Sequence, residues 1–417
     1  MKIIKRSICS ILATTMLIAA GAAQAAIHKV HPGDSIQAAI DAASPGDTVL
    51  VSPGTYEENV GSTYGLRITQ DNIRLIGKQR PALGDDGKVR LLASGTEQTE
   101  SGTGIYAAPA GCEYNASECA APDLKNFYVR GFTVEGFGKN GIQTRFVDGF
   151  KMIRNESANN LNNGIYPTLS ANGLVRNNTS YGSLDTAMWV AGSENVRVIG
   201  NKLFDSVIGF EITVSNNVQV HFNEIHDNTV GVGLFHPNGA GNPPLTVMEN
   251  WVIEGNAIYN NNRENNAPPG SFQSALPPGG GVLLLGVSDH TVRFNAIADN
   301  GLTGVAVMGW CTATNGTPNG CIDPTTGAPL KLPITDPSAN NNRVSANWLS
   351  GNGFLDFTGT PFESLQALVA DLTYASAPDF APLGENSSGN CYIYNYGDEA
   401  LTVAAPFDGG VLPTDGC

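Results

Sequence analysis

Asp185 and Glu211 are two carboxylates that could work as an acid–base pair. Cleaving a glycosidic bond needs two carboxyls at a set separation, one giving a proton and one acting as base or nucleophile. Lys139 and Arg145 precede them as cations. Removing a ring proton beside a sugar carboxylate needs a base, and a cation to neutralise that carboxylate. Arg145 or Lys139 could be the base only where its surroundings depress its pKa. His236, at the head of a loop, is a further acid–base candidate. Gln143, Tyr166 and Trp189, with Lys139, are the candidate substrate-binding residues. An amide can bond sugar hydroxyls, and aromatic faces can stack on ring CH groups. The plain alternative is that all of these are surface residues, with the two rings packed under a loop.

What puts such residues together is a repeat. An aliphatic residue followed three places later by asparagine recurs at Met152/Asn155, Val175/Asn178, Val198/Asn201 and Val220/Asn223. It returns at Ile253/Asn256, Val292/Asn295 and Val344/Asn347. The first asparagines are 23, 23 and 22 residues apart. A second ladder runs in step, a small residue before an apolar one: Gly141-Ile142, Gly164-Ile165, Ala187-Met188, Gly209-Phe210, Gly231-Val232. Fixed periods of this size mean a solenoid. Inside each unit, short apolar runs alternate with Gly, Asn, Asp and Ser, which is strand-and-turn punctuation. No helical period spans a unit, and the leucines are too few for a leucine-rich repeat. About 22 residues at roughly 3.3 Å each trace three short strands and three turns. The expected fold is all-β, a single-stranded right-handed parallel β-helix. Its aliphatic ladder stacks inside, and its asparagines occupy a turn, where Asn tolerates left-handed backbone.

The period also sets a register. In a strand the residue after an inward one points outward, so Gln143, Tyr166, Trp189 and Glu211 fall in one outward row. Lys139, Asp185 and Arg145 flank that row in neighbouring columns. A solenoid needs a cap on its open end. Ile36, Ala39, Ile40 and Ala43 form one apolar helical face, with Asp34 as the expected N-cap and Gln37 three places on.

Residues 1–25 read as a secretory signal: Lys2, Lys5 and Arg6, an apolar run over 11–20, then Ala23-Gln24-Ala25. No later run of 18 apolar residues follows, so no membrane span is expected. The expected location is outside the cytoplasm: periplasm, cell surface or medium. The formal net charge of −15 argues against nucleic acid and anionic membranes as partners. It also works against anionic sugars unless a cation such as Ca²⁺ bridges them. Asp85, Asp86, Asp323 and Asp336 lie in polar loops where Ca²⁺ could bind, but no regular motif appears and no metal ligand is assigned. One of the 7 cysteines, Cys9, lies in the signal. The others suggest disulfides in an exported chain. Closeness in sequence proposes Cys112–Cys119 and Cys311–Cys321, leaving Cys391–Cys417, although other pairings remain open.

One domain is expected. After the signal come the N-terminal cap and first strand (26–61), the coils with loop insertions (62–361) and a C-terminal cap (362–417) that opens with a helix near 363–372. Insertions at 235–248, 260–280 and 311–340 break the period and are the loops most suited to binding.

His31-Pro32-Gly33-Asp34-Ser35-Ile36-Gln37, then Pro45-Gly46-Asp47-Thr48-Val49 and Pro53-Gly54-Thr55-Tyr56, resemble the opening of bacterial secreted parallel β-helix repeat proteins of the pectate-lyase-like group. The block from Asn163-Gly164-Ile165-Tyr166 to Gly233-Leu234-Phe235 resembles the central coils of an exported subgroup of undefined function. The resemblance implies the fold and a carbohydrate ligand. It carries no catalytic residue, because the epimerase Asp-Pro-His run and the polygalacturonase aspartate pairs are absent. Its members favour lyase or epimerase chemistry on uronate polymers over hydrolysis, with Arg145 as base and Asp185 and Glu211 positioning substrate or a cation. The other expectation is a non-enzymatic periplasmic or surface binding protein in an exported complex, with a protein partner.

Overall fold

In the computed structural model the chain is described over residues 25–61, 63–113, 118–235, 248–314, 320–323, 325–329, 336–376, 386–406, 410–414 and 416–417. The signal segment and His236 lie outside these residues. One turn of the coil shows how the rest is built. Ile142–Arg145, Val147–Ile153 and Glu156–Ala158 are three short strands in sequence. Each pairs in parallel with its counterpart one turn later: Ile142 opposite Ile165, Met152 opposite Val175, Ser157 opposite Ser180. Repetition gives three parallel sheets of 12, 11 and 11 strands among the described residues. Sheet 1 runs from Ile27–Val30 to Cys391–Ile393, sheet 2 from Gly54–Glu57 to Tyr396–Gly397, and sheet 3 from Tyr64–Ile68 to Val403–Ala404. This is the expected β-helix.

The aliphatic ladder is the core. Met152, Val175, Val198, Val220, Ile253, Val292 and Val344 are fully buried in one continuous cluster. Strands this apolar are stable only with both flanks covered, and each turn covers the next. The asparagine ladder is a buried hydrogen-bonded column between sheets 1 and 2. Asn178 Nδ2 donates to Asn201 Oδ1 at 2.9 Å, and Asn201 Nδ2 donates to Asn223 Oδ1 at 2.9 Å. The same oxygens accept the backbone N–H of the preceding rung, and each Nδ2 also donates to a core-strand carbonyl. The left-handed residue is the one before the asparagine, not the asparagine itself: Arg154, Asn177, Phe222, Phe294 and Ala346 have φ of 54–55°, with Gly200 and Gly255 in the same role.

The ends differ in detail from expectation. Helix Ile36–Ala42 is capped by Ser35, whose Oγ accepts from Ala38 N at 3.1 Å, while Asp34 accepts from His31 N instead. Ile36 and Ile40 plug the open end. At the far end the expected helix is a 3₁₀ turn, Glu363–Leu368, followed at once by strand Ala370–Ala375. Winding carries on through Tyr396–Gly397 and Val403–Ala404. Disulfides join Cys112–Cys119, Cys311–Cys321 and Cys391–Cys417. Among the described residues no helix is long and apolar enough to cross a membrane.

Candidate active site

Sheet 3 carries the candidate residues on its outer face in register. Tyr106, Gln143 and Tyr166 are paired neighbours, as are Trp189, Glu211 and Gly233. The next outward column holds Arg145, Thr168, Ala191, Thr213 and Phe235. The row was expected to face solvent, yet it is buried: Gln143, Arg145, Tyr166 and Glu211 are at most 5% exposed, and Asp185 and Trp189 are each 9% exposed. From Phe235 onward the face is apolar and covered. Phe272 and Leu276 face Leu283, Leu285, Ala306 and Met308 around a cavity of about 70 Å³, and Trp310 stacks on Phe272. The insertion at 260–280 thus closes one end of the polar stretch.

The polar stretch has a chemical centre. Asp185 ends the loop before strand Thr186–Ala191, and Glu211 lies one rung on in strand Ile208–Thr213. Between them stands Thr186, whose Oγ1 is 3.0 Å from Asp185 Oδ1 and 2.7 Å from Glu211 Oε2. A hydroxyl has one proton to donate. It cannot donate to two carboxylates, so one carboxyl must be protonated and donate to it. The electrostatics agree. Burial pushes Asp185 up to about 7, against the pull of hydrogen bonds from Thr186 and Gln273. Burial, then the charge of Asp185, pushes Glu211 well above the usual carboxylate range. One protonated and one ionised carboxyl, within roughly 6 Å through a shared hydroxyl, is a proton donor beside a proton acceptor.

The aromatic pair serves this centre differently from the sequence expectation. Tyr166 and Trp189 stack on each other, centroids 4.6 Å apart and planes within 12°. Stacking one rung apart turns the ring faces along the coil axis and leaves edges outward. Trp189 Nε1 donates to Thr213 Oγ1 at 3.0 Å, which fixes the indole beside Glu211.

Lys139, Gln143 and Arg145 belong to the rung of strand Ile142–Arg145, three rungs from Glu211. That is about 14 Å along the axis, so Arg145 is not brought to the carboxyl pair. Its guanidinium lies 5.5 Å from the Phe146 ring centroid. Gln143 Oε1 accepts from Asn140 Nδ2 at 2.8 Å, while its buried Nε2 has no partner among the described residues. His226 lies on sheet 2, in an aromatic ladder with Phe204 and Tyr259. Asp323 and Asp336 accept backbone N–H bonds of their own turns. Among the described residues no group of three or more His, Cys, Asp or Glu could hold a metal ion. Two carboxyls and a hydroxyl also fall short of the roughly six to eight oxygens that Ca²⁺ takes.

Thr186 and Gln273 were missed in the sequence. Thr186 had no clear signal: its column runs through Asn163, Ile208, Val230, Gly280 and Thr303, so a polar residue there is not out of pattern. Gln273 had none, because it comes from an off-period insertion.

A family model described as right handed beta helix region matches residues 101–247 and 140–322. In structure the chain is similar to the A-module of mannuronan C-5 epimerase AlgE4 from Azotobacter vinelandii. Identity there is 17% and the TM-score 0.55, over 88% of this chain and 94% of that one. It is also similar to DFA-IIIase from Arthrobacter chlorophenolicus A6 in complex with GF2, at 12% identity and a TM-score of 0.58, over 92% of each chain. Identities this low speak for the fold. No curated protein matches the sequence.

Proposed function

The chain belongs to the right-handed beta helix family, and on that premise we propose that it is an exported carbohydrate-active enzyme that cleaves or rearranges a polysaccharide at Asp185 and Glu211. The observation that carries this reading is the single Thr186 hydroxyl bonded to both carboxyls. It supports acid–base chemistry on a glycosidic bond: the protonated carboxyl gives its proton to the leaving oxygen, and the ionised one acts as base or nucleophile. The charge of Asp185 raises Glu211 further, so Glu211 holds the proton and is the donor, and Asp185 is the ionised partner. The structural neighbours, a mannuronan epimerase and a DFA-IIIase with bound GF2, are consistent with a glycan substrate. Lyase or epimerase chemistry with Arg145 as base draws less support, since Arg145 stands three rungs away.

The 3% exposure of Glu211 favours a second reading, a non-enzymatic glycan-binding protein whose carboxyl pair only holds the rungs together. A panel of neutral and uronate polysaccharides separates the two. Products are followed by size chromatography and by the ultraviolet absorbance of unsaturated uronates. Shortened chains without that absorbance, abolished in Asp185→Asn and Glu211→Gln, are the expected result. Unsaturated products would move the reaction to the lyase class. An unchanged panel, with binding intact, would leave the binding protein.

A further inference from the structure

The edge between sheets 1 and 2 carries a feature that the carboxyl pair does not explain. At each rung the residue before the buried ladder asparagine turns out to solvent in left-handed backbone. Along the second half of the coil these residues are Phe222, Gly255, Phe294, Ala346 and Tyr394. Aromatic and small residues alternate. Phe222 is 70% exposed, Phe294 60% and Tyr394 69%. Bulky residues are uncommon at positive φ, and Gly200 and Gly255 show that glycine fits this corner. The aromatics are therefore kept against both backbone preference and exposure to water, which marks a binding surface. The small residues have a job: the Phe222 ring edge lies where a side chain on Gly255 would stand, 2.8 Å from the position of its Cβ. Trp348 and Tyr396, also exposed, extend the patch in the adjoining column of sheet 2.

Toward the other end the same ridge becomes cationic. Arg154 stands in that column, and Arg130 and Arg176 lie one column over, at the ends of the sheet 1 strands on the rungs either side of it; all three are exposed, and among the described residues none of them is in an ion pair. The nearby carboxylates are already held, Glu156 by Lys88, Glu224 by Lys202 and Glu254 by Arg293. In a chain of net charge −15, this ridge is locally positive.

We propose that this ridge is a binding site for one acidic glycan chain lying along the coil axis, on a different face from Asp185 and Glu211. Aromatic side chains recur every second rung, roughly 9–10 Å apart. An extended 1,4-linked glycan turns the same ring face the same way at every second sugar, so one chain can rest on Phe222, Phe294 and Tyr394 in turn. Arginine forks at the other end suit planar carboxylates. The ridge is one to two side chains wide, too narrow for the roughly 800 Å² per partner of a stable protein interface.

The test is electrophoresis of the full chain through gels containing alginate, polygalacturonate or neutral hydroxyethylcellulose. All variants carry Asp185→Asn and Glu211→Gln, so polymer is not consumed and a failure of the catalytic reading leaves this result untouched. The parent is expected to be retarded by the uronate polymers. Phe222→Gly, Phe294→Gly and Tyr394→Gly together should weaken retention at least about tenfold, as three stacking contacts are lost. The melting temperature should not fall, because glycine already serves this corner. Arg154→Gln with Arg176→Gln should weaken uronate retention and reduce its sensitivity to salt. Retention that survives the triple glycine change, or no retention of the parent in either uronate gel, overturns the proposal. So does equal retention by the neutral polymer with no effect of the arginines. Loss of self-association in sedimentation, with polymer binding unchanged, would assign the ridge to a second copy of the chain instead.

Discussion

Asp185 and Glu211, one rung apart on the same sheet, meet at the single hydroxyl of Thr186. That bridge favours the ionised form of the carboxyl to which Thr186 donates, against the burial that raises both groups. Thr186→Val keeps the shape and deletes the bridge. Two buried carboxyls then lose a partner, at a cost of about 2 kcal/mol, read from urea unfolding at neutral pH. Any activity should keep its pH profile's shape but move its acid limb upward, because the ionised carboxyl loses its donor and protonates more readily. A profile unmoved by the substitution would separate the pair from the chemistry.

The stability of the whole chain should carry two opposed pH signatures. Burial raises Asp185 from 3.8 to about 7, so between those values the folded state binds more protons than the unfolded one. Its favourable contribution is whole below 3.8 and is lost as pH rises through about 7. Glu211 acts in the same direction. Asp47 is the reverse: bonds from His28 and from the Ser44 and Ala26 backbone lower it to about 2. Its contribution is present above 3.8 and is lost as pH falls toward 2. The urea midpoint should therefore fall between pH 5 and 8 in the parent and fall less steeply in Asp185→Asn, where only Glu211 of the pair still titrates; that variant should be the more stable protein at pH 8. Asp47→Asn should flatten the acid side alone. A parent midpoint that rises from pH 5 to 8 would contradict the raised carboxyls.

The asparagine column should fail from the middle. Asn201 donates to Val175 O and to Asn223 Oδ1, and its Oδ1 accepts both N–H groups of Asn178. Asn201→Ala strands several buried polar atoms at once, at a cost of about 3 kcal/mol or more in urea unfolding. Asn395, half-buried at the end of the column, bonds no following rung among the described residues. Its alanine variant should cost clearly less. Equal costs would mean the column contributes rung by rung through backbone shape and not through its bonds.

The coil was legible because its period is written twice, in Val198/Asn201-type pairs and in Gly141-Ile142-type pairs, and each copy must sit at the same place in a rung. The same register predicted the row Gln143, Tyr166, Trp189, Glu211 and the approach of Asp185 to Glu211. It could not predict burial of that row, because cover comes from off-period insertions such as 260–280, whose path no repeat constrains. It also misassigned the left-handed turn. Asparagine is the usual occupant of that conformation, but here its side chain is needed inside, so the bend falls on Arg154 or Phe222, residues with no intrinsic preference for it. The helix expected at 363–372 failed for a related reason: Ala370–Ala375 finds an open strand edge at Thr303–Met308, and pairing there outweighs local helical preference.

Trp189 offers the last discrimination, between a ring that holds the site and one that meets the sugar. Its indole is stacked on Tyr166 and tied to Thr213, and 9% of it is exposed. Trp189→Phe keeps a stacking partner for Tyr166 but removes the N–H donor, leaving Thr213 Oγ1 without it. Stability should fall by about 1 kcal/mol. Trp189→Ala removes the stack as well and should cost about 3–5 kcal/mol, as for other large core truncations. A ring whose task is to hold Glu211 in place would lose kcat in the alanine variant and keep KM in the phenylalanine one. A ring that stacks on substrate would raise KM in both, with kcat little changed at saturation. Because the ring faces point along the axis and only an edge reaches solvent, the first pattern is the expected one.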